Sequence, residues 1–204
     1  MKLLDVLGSL AGIEPPVFST RDVAASLEVS PAHASTVLRR LAGAGRIICL
    51  RRGVWAFRDR LDPLAVPEHL TFPFPAYVSL QSALYLHGMI SQVPSVTYAV
   101  SLARTRRWTT PVGTVSIHHV EPWFFFGFED AGRRGGRLAT PEKALVDVLY
   151  LRPARSGLFR SLPELTWPGT FNVRVARSMI ARIRSTRRRT LASRAFEELL
   201  TRRV

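Results

Sequence analysis

Between Ser19 and Phe57 the chain sets two helix starts, one apolar stripe and a glycine-centred turn in close succession, and few folds accept that order. Ser19 and Asp22 stand as Ser-x-x-Asp, so the hydroxyl accepts an amide at the start of a helix over 21–27 and the carboxylate answers the serine's own amide. A short break follows at Glu28-Val29. Ser30 then serves as N-cap with Pro31 at the first helical position, where a missing N–H costs nothing. Ala34, Val37, Leu38 and Leu41 recur at the spacing of one buried helix face, and Gly43 with Gly45 stops the helix. The apolar runs 47–50 and 54–57 flank Arg51-Arg52-Gly53, the pattern of two short strands around a turn. Upstream, Leu3, Leu4, Leu7 and Leu10 predict a further helix that ends before Pro15-Pro16.

Three helices and a hairpin in this order predict a winged helix-turn-helix over residues 1–60. Ala32, His33, Ser35, Thr36, Arg39 and Arg40 face away from the apolar stripe. Small hydrogen-bonding side chains near a helix start allow close approach to base edges, and arginines further along reach phosphates or a guanine. At the turn of the hairpin, Arg51 and Arg52 can meet the DNA backbone or enter a minor groove. The expected DNA-binding set is therefore Ser30, His33, Ser35, Thr36, Arg39, Arg40, Arg46, Arg51 and Arg52. Trp55, Phe57 and Cys49 are expected in the core. Protein-binding modules use the same elements, but here the basic residues coincide with the two parts that a winged helix presents to DNA.

Charge supports a polyanionic partner. Lys and Arg number 29 against 15 Asp and Glu, for a net charge of +14. Residues 19–60 hold eight arginines against Asp22, Glu28 and Asp59, and residues 151–204 hold 13 basic side chains against three acidic ones. The lone Cys49 excludes an intrachain disulfide and a multi-cysteine zinc site, so a reducing, cytoplasmic location is expected. Asp5 interrupts what would have to be the apolar core of a signal peptide. The charge-free stretch 69–103 is broken by Pro73, Pro75, Gln81, His87, Gln92 and Pro94, short of the ~20 apolar residues of a spanning helix. No membrane association is expected.

Prolines at 63, 67, 73 and 75 predict a linker over 61–76, followed by a mixed α+β domain over 77–204. Within it, 77–90 reads as a helix capped near Ser79, with Leu80, Ala83, Leu84 and His87 on one face and Gly88 at its end. The runs 97–101, 114–118 and 123–128 predict three strands, and Gly132, Gly135 and Gly136 a basic loop. Thr140-Pro141 begins a helix with Ala144, Leu145, Val148 and Leu149 on one face. The tail, 170–204, is expected to be basic and helical. If 173–188 is one helix, Arg174, Arg177, Arg184 and Arg188 share one side, and Val175, Met179, Ile180 and Ile183 the other. Those arginines are candidates for additional nucleic-acid or partner contacts, each neutralised phosphate adding about 0.9 to the salt slope of duplex binding, or else a solvated face. Leu191, Ala195 and Leu199 predict a last amphipathic helix.

Two stretches in this second unit carry a likeness: Val78-Ser79-Leu80-Gln81-Ser82-Ala83-Leu84-Tyr85-Leu86-His87-Gly88-Met89-Ile90, and Ala139-Thr140-Pro141-Glu142-Lys143-Ala144-Leu145-Val146-Asp147-Val148-Leu149-Tyr150. Standing behind a winged helix that ends in Arg51-Arg52-Gly53-Val54-Trp55, they resemble the AbiEi antitoxins of abortive-infection type toxin–antitoxin operons. The resemblance implies a bacterial antitoxin that represses its own operon through the winged helix on double-stranded DNA. It further implies that the second domain counters a nucleotidyltransferase-type toxin encoded beside it. Repressors commonly bind as symmetric pairs, so a homodimer on DNA is the expectation by analogy.

Catalytic signatures are not found. The sequence has no G-x-S-x-G, P-loop or Rossmann fingerprint, and Gly132-Arg133-Arg134-Gly135-Gly136 lacks the Lys-Ser/Thr of a phosphate cradle. His118, His119 and Glu121 with His87 are candidate metal ligands, but neighbouring strand residues point to opposite faces. No enzyme, cofactor or metal is expected. Two rival readings stay open: a one-component regulator whose α+β domain binds a small ligand, and a noncatalytic RNA or protein adaptor working through the basic tail.

Overall fold

A computed structural model describes residue 8 and residues 16–131, 136–152 and 164–202. The helix expected over 3–10 falls, Gly8 apart, outside the described residues, as does most of the glycine loop at 132–136. The fold is mixed α+β, as expected.

In the N-terminal unit, β1 (Val17–Ser19) leads into α1 (Thr20–Ser26) and α2 (Pro31–Gly43), and β2 (Ile48–Arg51) and β3 (Val54–Ala56) follow. Both caps form as the sequence predicts. Ser19 Oγ accepts from the Asp22 amide at 3.1 Å while Asp22 Oδ2 accepts from the Ser19 amide at 2.7 Å. Ser30 Oγ accepts from the His33 amide at 3.3 Å, with Pro31 opening α2. Between the helices, Glu28 turns the chain at φ 52°, a left-handed conformation uncommon outside glycine. Ala34, Val37, Leu38 and Leu41 are buried against Phe18, Val23, Ile47, Trp55 and Phe57. Gly53, at φ 79°, closes the two-residue turn between β2 and β3. The unexpected element is β1, which pairs antiparallel with β3 and makes the sheet three-stranded in the order β1-β3-β2.

The stretch expected as a linker carries a helix, α3 (Val66–Thr71), with Pro67 in its first turn, where proline is tolerated. Its buried Val66 and Leu70 join Ile48, Leu50 and Ala56 of the wing strands and Ala99, Val115 and Ile117 of a second sheet in one apolar cluster.

That second sheet has six strands: β4 (Ala76–Val78), β5 (Val96–Ser101), β6 (Arg106–Thr110), β7 (Gly113–His119), β8 (Phe128–Asp130) and β9 (Arg137–Ala139), in the order β6-β7-β5-β4-β9-β8. Strand β5 pairs antiparallel with β4 and parallel with β7, and β4 pairs parallel with β9. Alternation along β5 assigns the two faces: Ala99 meets the wing and α3, whereas Tyr98 and Val100 meet the helices. Those helices are α4 (Leu80–Leu86), α5 (Pro141–Leu151), α6 (Val173–Ala181) and α7 (Thr186–Thr201). The wing is thus backed by the central strands of the larger sheet.

Four further expectations need correction. The helix expected over 77–90 spans only Leu80–Leu86, because Tyr77 and Val78 pair into the sheet as β4. The aromatic run 123–128 is not a strand: Pro122–Phe124 forms a 3-10 turn, and β8 begins only at Phe128. Phe124 is fully buried and stacks on Tyr150 at 4.1 Å, so the run fills the helical layer instead of pairing with a neighbouring strand. Residues 106–110, between two predicted strands, are themselves strand β6. Residues 173–188 are not one helix, because α6 ends at Ala181 and Ser185 caps α7 through the Arg188 amide. Fully buried Ile183 in the break anchors the corner, while Val175 and Leu191, expected to pack, are exposed.

Candidate nucleic-acid interface

A groove of ≈ 1030 Å³ runs between α2 and the wing. Its walls are Ser35 and Arg39 from α2, Thr20 and Arg21 from the start of α1, and Arg51, Arg52 and Gly53 from the wing, with Phe72 at the end of α3. Among the described residues, four arginines line it and no acidic side chain does. Trp55 Nε1 donates to Thr20 Oγ1 at 2.9 Å, tying β3 to the start of α1. With the opposite face of the wing packed on the larger sheet, the two walls are fixed relative to each other by buried apolar contacts.

Helical periodicity divides the expected contact residues into two rows. Pro31, Ser35, Arg39 and Ala42 form the row that faces the wing, and His33, Thr36 and Arg40 form an exposed outer row. Arg39 lies along the helix, its Nε 3.4 Å from the Ser35 carbonyl and its Nη2 3.4 Å from Thr36 Oγ1, distances long enough to exchange for a phosphate. The Thr36 hydroxyl donates back to the Ala32 carbonyl at 3.1 Å. Ser30 uses its hydroxyl as the helix cap. Arg46 is exposed in the turn after α2.

On the wing, Arg52 is exposed at the turn. Arg51 behaves differently. A register shift between Cys49 and Arg51 bends β2, and the guanidinium turns toward α3, with Nη2 3.5 Å from the Phe72 carbonyl. Its Nε is buried with no hydrogen-bond partner among the described residues. Cys49 Sγ donates to the Arg51 carbonyl at 3.3 Å and burial pushes the thiol pKa up, so it is a packing residue and not a reactive thiolate.

A helix with an outward polar row, a basic wing and an arginine-lined groove between them are the parts that winged helices use to bind DNA. Residues 7–58 match the family model described as a transcriptional regulator, AbiEi antitoxin. The AbiEi resemblance read from the sequence therefore holds across the winged helix. No curated protein matches the chain.

The two stretches of the second unit singled out in the sequence, 78–90 and 139–150, meet in space. Lys143 Nζ lies 2.6 Å from Asp147 Oδ1 and donates to the Phe124 carbonyl at 3.0 Å. Asp147 Oδ2 accepts from Ser79 Oγ at 2.7 Å and from the Tyr77 hydroxyl at 3.0 Å. All four residues are fully buried. Burial lowers the Lys143 pKa and raises that of Asp147, each opposed by the other's charge, and raises that of Tyr77. His87 Nε2 sits 2.7 Å from the Ala139 carbonyl, joining α4 to β9. The buried cluster joins α4, α5 and β4.

The tail arginines line no part of the groove. Arg174 is exposed at the start of α6, while Arg177 makes a paired contact to Glu197, with Nε–Oε1 3.0 Å and Nη2–Oε2 2.9 Å. Arg184 lies over the Trp123 ring at 5.3 Å and Arg188 over Tyr150 at 5.1 Å. The single cationic face expected from one long helix is therefore divided at the α6–α7 corner, and three of its four arginines have partners within the chain.

Arg21 and Phe72 are among the groove residues that sequence reasoning missed. Arg21 lay within the arginine-rich stretch but on the helix before the recognition helix, and Phe72 lay in the supposed linker, where nothing marked it. The histidines considered as ligands are dispersed: His118 contacts Ser116 Oγ, and His119 Nδ1 faces the carbonyls of Leu102 and Ala103. Among the described residues no helix is long and apolar enough to cross a membrane.

Proposed function

We propose that the protein is a DNA-binding antitoxin that represses its own operon and, through its second domain, counters a nucleotidyltransferase-type toxin encoded beside it. The groove between α2 and the wing, lined by Arg21, Arg39, Arg51 and Arg52 with no acid among the described residues, carries this reading. A phosphate backbone follows the groove, where Ser35 and Arg39 hold one side and the wing the other. The outer row, His33, Thr36 and Arg40, reaches base edges in the major groove, and Arg46 contacts flanking phosphate. Ser30 acts indirectly by capping and orienting α2. Arg52 enters the adjacent minor groove. The protein works in the cytoplasm without catalysis, as a homodimer on a two-fold operator. The partnered tail arginines weigh against an adaptor that depends on the tail for nucleic-acid contact.

The test is fluorescence anisotropy on the chain's own upstream DNA and on a scrambled duplex, each across a salt series. Tight binding with a large preference for the upstream duplex is expected. Replacing Arg51 and Arg52 by alanine should weaken binding and lower the salt slope by about 0.9 for each phosphate that is no longer neutralised. Equal affinity for both duplexes would overturn the repressor reading, and an unchanged operator affinity in the double variant would remove the wing from the interface. For the toxin, rescue of growth on co-expression with the neighbouring reading frame, and its loss in a chain lacking residues 77–204, decides the antitoxin role.

A further inference from the structure

Phe72 has no role in either core, yet its position is tightly set. It is 73 % exposed at the end of α3 and lines the same groove as Arg39, Arg51 and Arg52. The stem beneath it is rigid: Val66 and Leu70 are buried between the wing and the larger sheet, and Thr71 Oγ1 lies 3.1 Å from the Pro67 carbonyl and 2.7 Å from that of Phe74. The Arg51 guanidinium meets the Phe72 carbonyl at 3.5 Å, so the wing and this residue approach any ligand together. An aromatic ring held in water on a fixed support, in a groove whose charged lining residues are four arginines, lowers its free energy by meeting an apolar surface that carries negative charge at its edges. Duplex DNA offers that surface in the sugars and base edges of the minor groove, bordered by phosphates.

We propose that Phe72 acts as an apolar wedge against the minor groove of the operator beside the wing. This rests on the DNA-binding reading above and extends the interface beyond residue 58, where the matched family segment ends. Arg51 holds a bordering phosphate and Arg52 reaches into the same minor groove, while the ring of Phe72 packs on deoxyribose and the exposed base step. Because the stem is already ordered, little conformational freedom is lost on binding. The wedge favours operators with an easily unstacked pyrimidine–purine step at that position.

The full-length protein tests this through Phe72→Ala, Phe72→Trp and Phe74→Ala; Phe74 is 49 % exposed but does not line the groove. On the upstream duplex, Phe72→Ala should weaken binding about ten- to a hundredfold, the range for exposing a large apolar side chain. Its salt slope should stay unchanged, since no charge is removed. Energy transfer between dyes on the duplex ends should report a smaller bend with Phe72→Ala than with wild type. Phe72→Trp and Phe74→Ala should bind and bend like wild type. Equal affinity and bend in Phe72→Ala, while wild type still prefers its upstream duplex, overturns the wedge and leaves the repressor reading standing. A drop in salt slope with Phe72→Ala also overturns it, since the residue would then be acting only by placing Arg51. If wild type shows no preference for its upstream duplex, both readings fall.

Discussion

Replacing Asp147 by alanine removes at once the partner of a buried ammonium and the acceptor of two buried hydroxyls. Lys143 is deprived of its carboxylate at 2.6 Å, and the Ser79 and Tyr77 hydroxyls of acceptors at 2.7 and 3.0 Å, all without exposure to solvent. Breaking a buried pair from one side costs about 3–5 kcal/mol, because the remaining charge stays desolvated. Lys143 keeps its 3.0 Å bond to the Phe124 carbonyl and the Phe124 ring, with Nζ 3.6 Å from the centroid, so the lower end, about 3 kcal/mol, is expected. For a chain of 204 residues that corresponds to a fall in Tm of about 6–12 °C, at about 2–4 °C per kcal/mol. Urea melts should give the free energy and calorimetry the midpoint. The cycle is run with Lys143→Met alone, Asp147→Leu alone and the two combined. Removing both charges should cost less than the sum of the two single changes by at least about 1 kcal/mol, since neither ion is then left alone. A Phe124-held lysine that is stable alone would instead make Asp147→Ala cost under about 1 kcal/mol, and additive single changes would show that the two ions do not act as a pair. Either result would refute the argument that this cluster holds α4 to α5.

Two further stability predictions follow from local geometry. Burial holds the His118 imidazole at a pKa of about 4, below its ordinary value, so the unfolded chain takes up a proton first as pH falls. Stability is therefore full above the unfolded pKa of about 6.5 and is lost between there and 4, by up to about 3 kcal/mol; His69, also lowered by burial, adds in the same direction. Tm measured at pH 7 and 4.5 should fall less in His118→Gln than in wild type, and an equal fall would exclude His118 as the cause. At Gly136, an added Cβ would stand 2.5 Å from Leu64 Cβ and 3.0 Å from its carbonyl carbon. Gly136→Ala should thus cost about 1–3 kcal/mol by forcing the stretch before α3 away from β9, and an unchanged urea midpoint would show that this packing yields freely.

Features that depend on neighbours within one turn of the chain were legible in the sequence. The Ser19–Asp22 box, the Ser30 cap with Pro31 and the stripe Ala34, Val37, Leu38 and Leu41 form as expected, because a cap or a helix face is decided by residues three or four apart. The same locality makes a three-residue strand invisible: β1 exists only through β3, and Ala76, Tyr77 and Val78 of β4 are buried on both faces, so no alternation marks them. Tertiary layering also reverses the meaning of a spacing. Lys143 and Asp147 stand four apart, the arrangement of an exposed helix pair, yet the helices and the Phe124 turn packed over α5 make it the most buried ion pair among the described residues. The tail arginines show the converse. A helical wheel gathers Arg177, Arg184 and Arg188 on one face, but it cannot see Glu197, Trp123 or Tyr150, which approach from elsewhere in the chain. For the groove, Arg39, Arg51 and Arg52 were visible because they lie on the elements that define a winged helix. Phe72 was not, because its place in the groove depends on α3 being wedged between two sheets, a relation that no local pattern records.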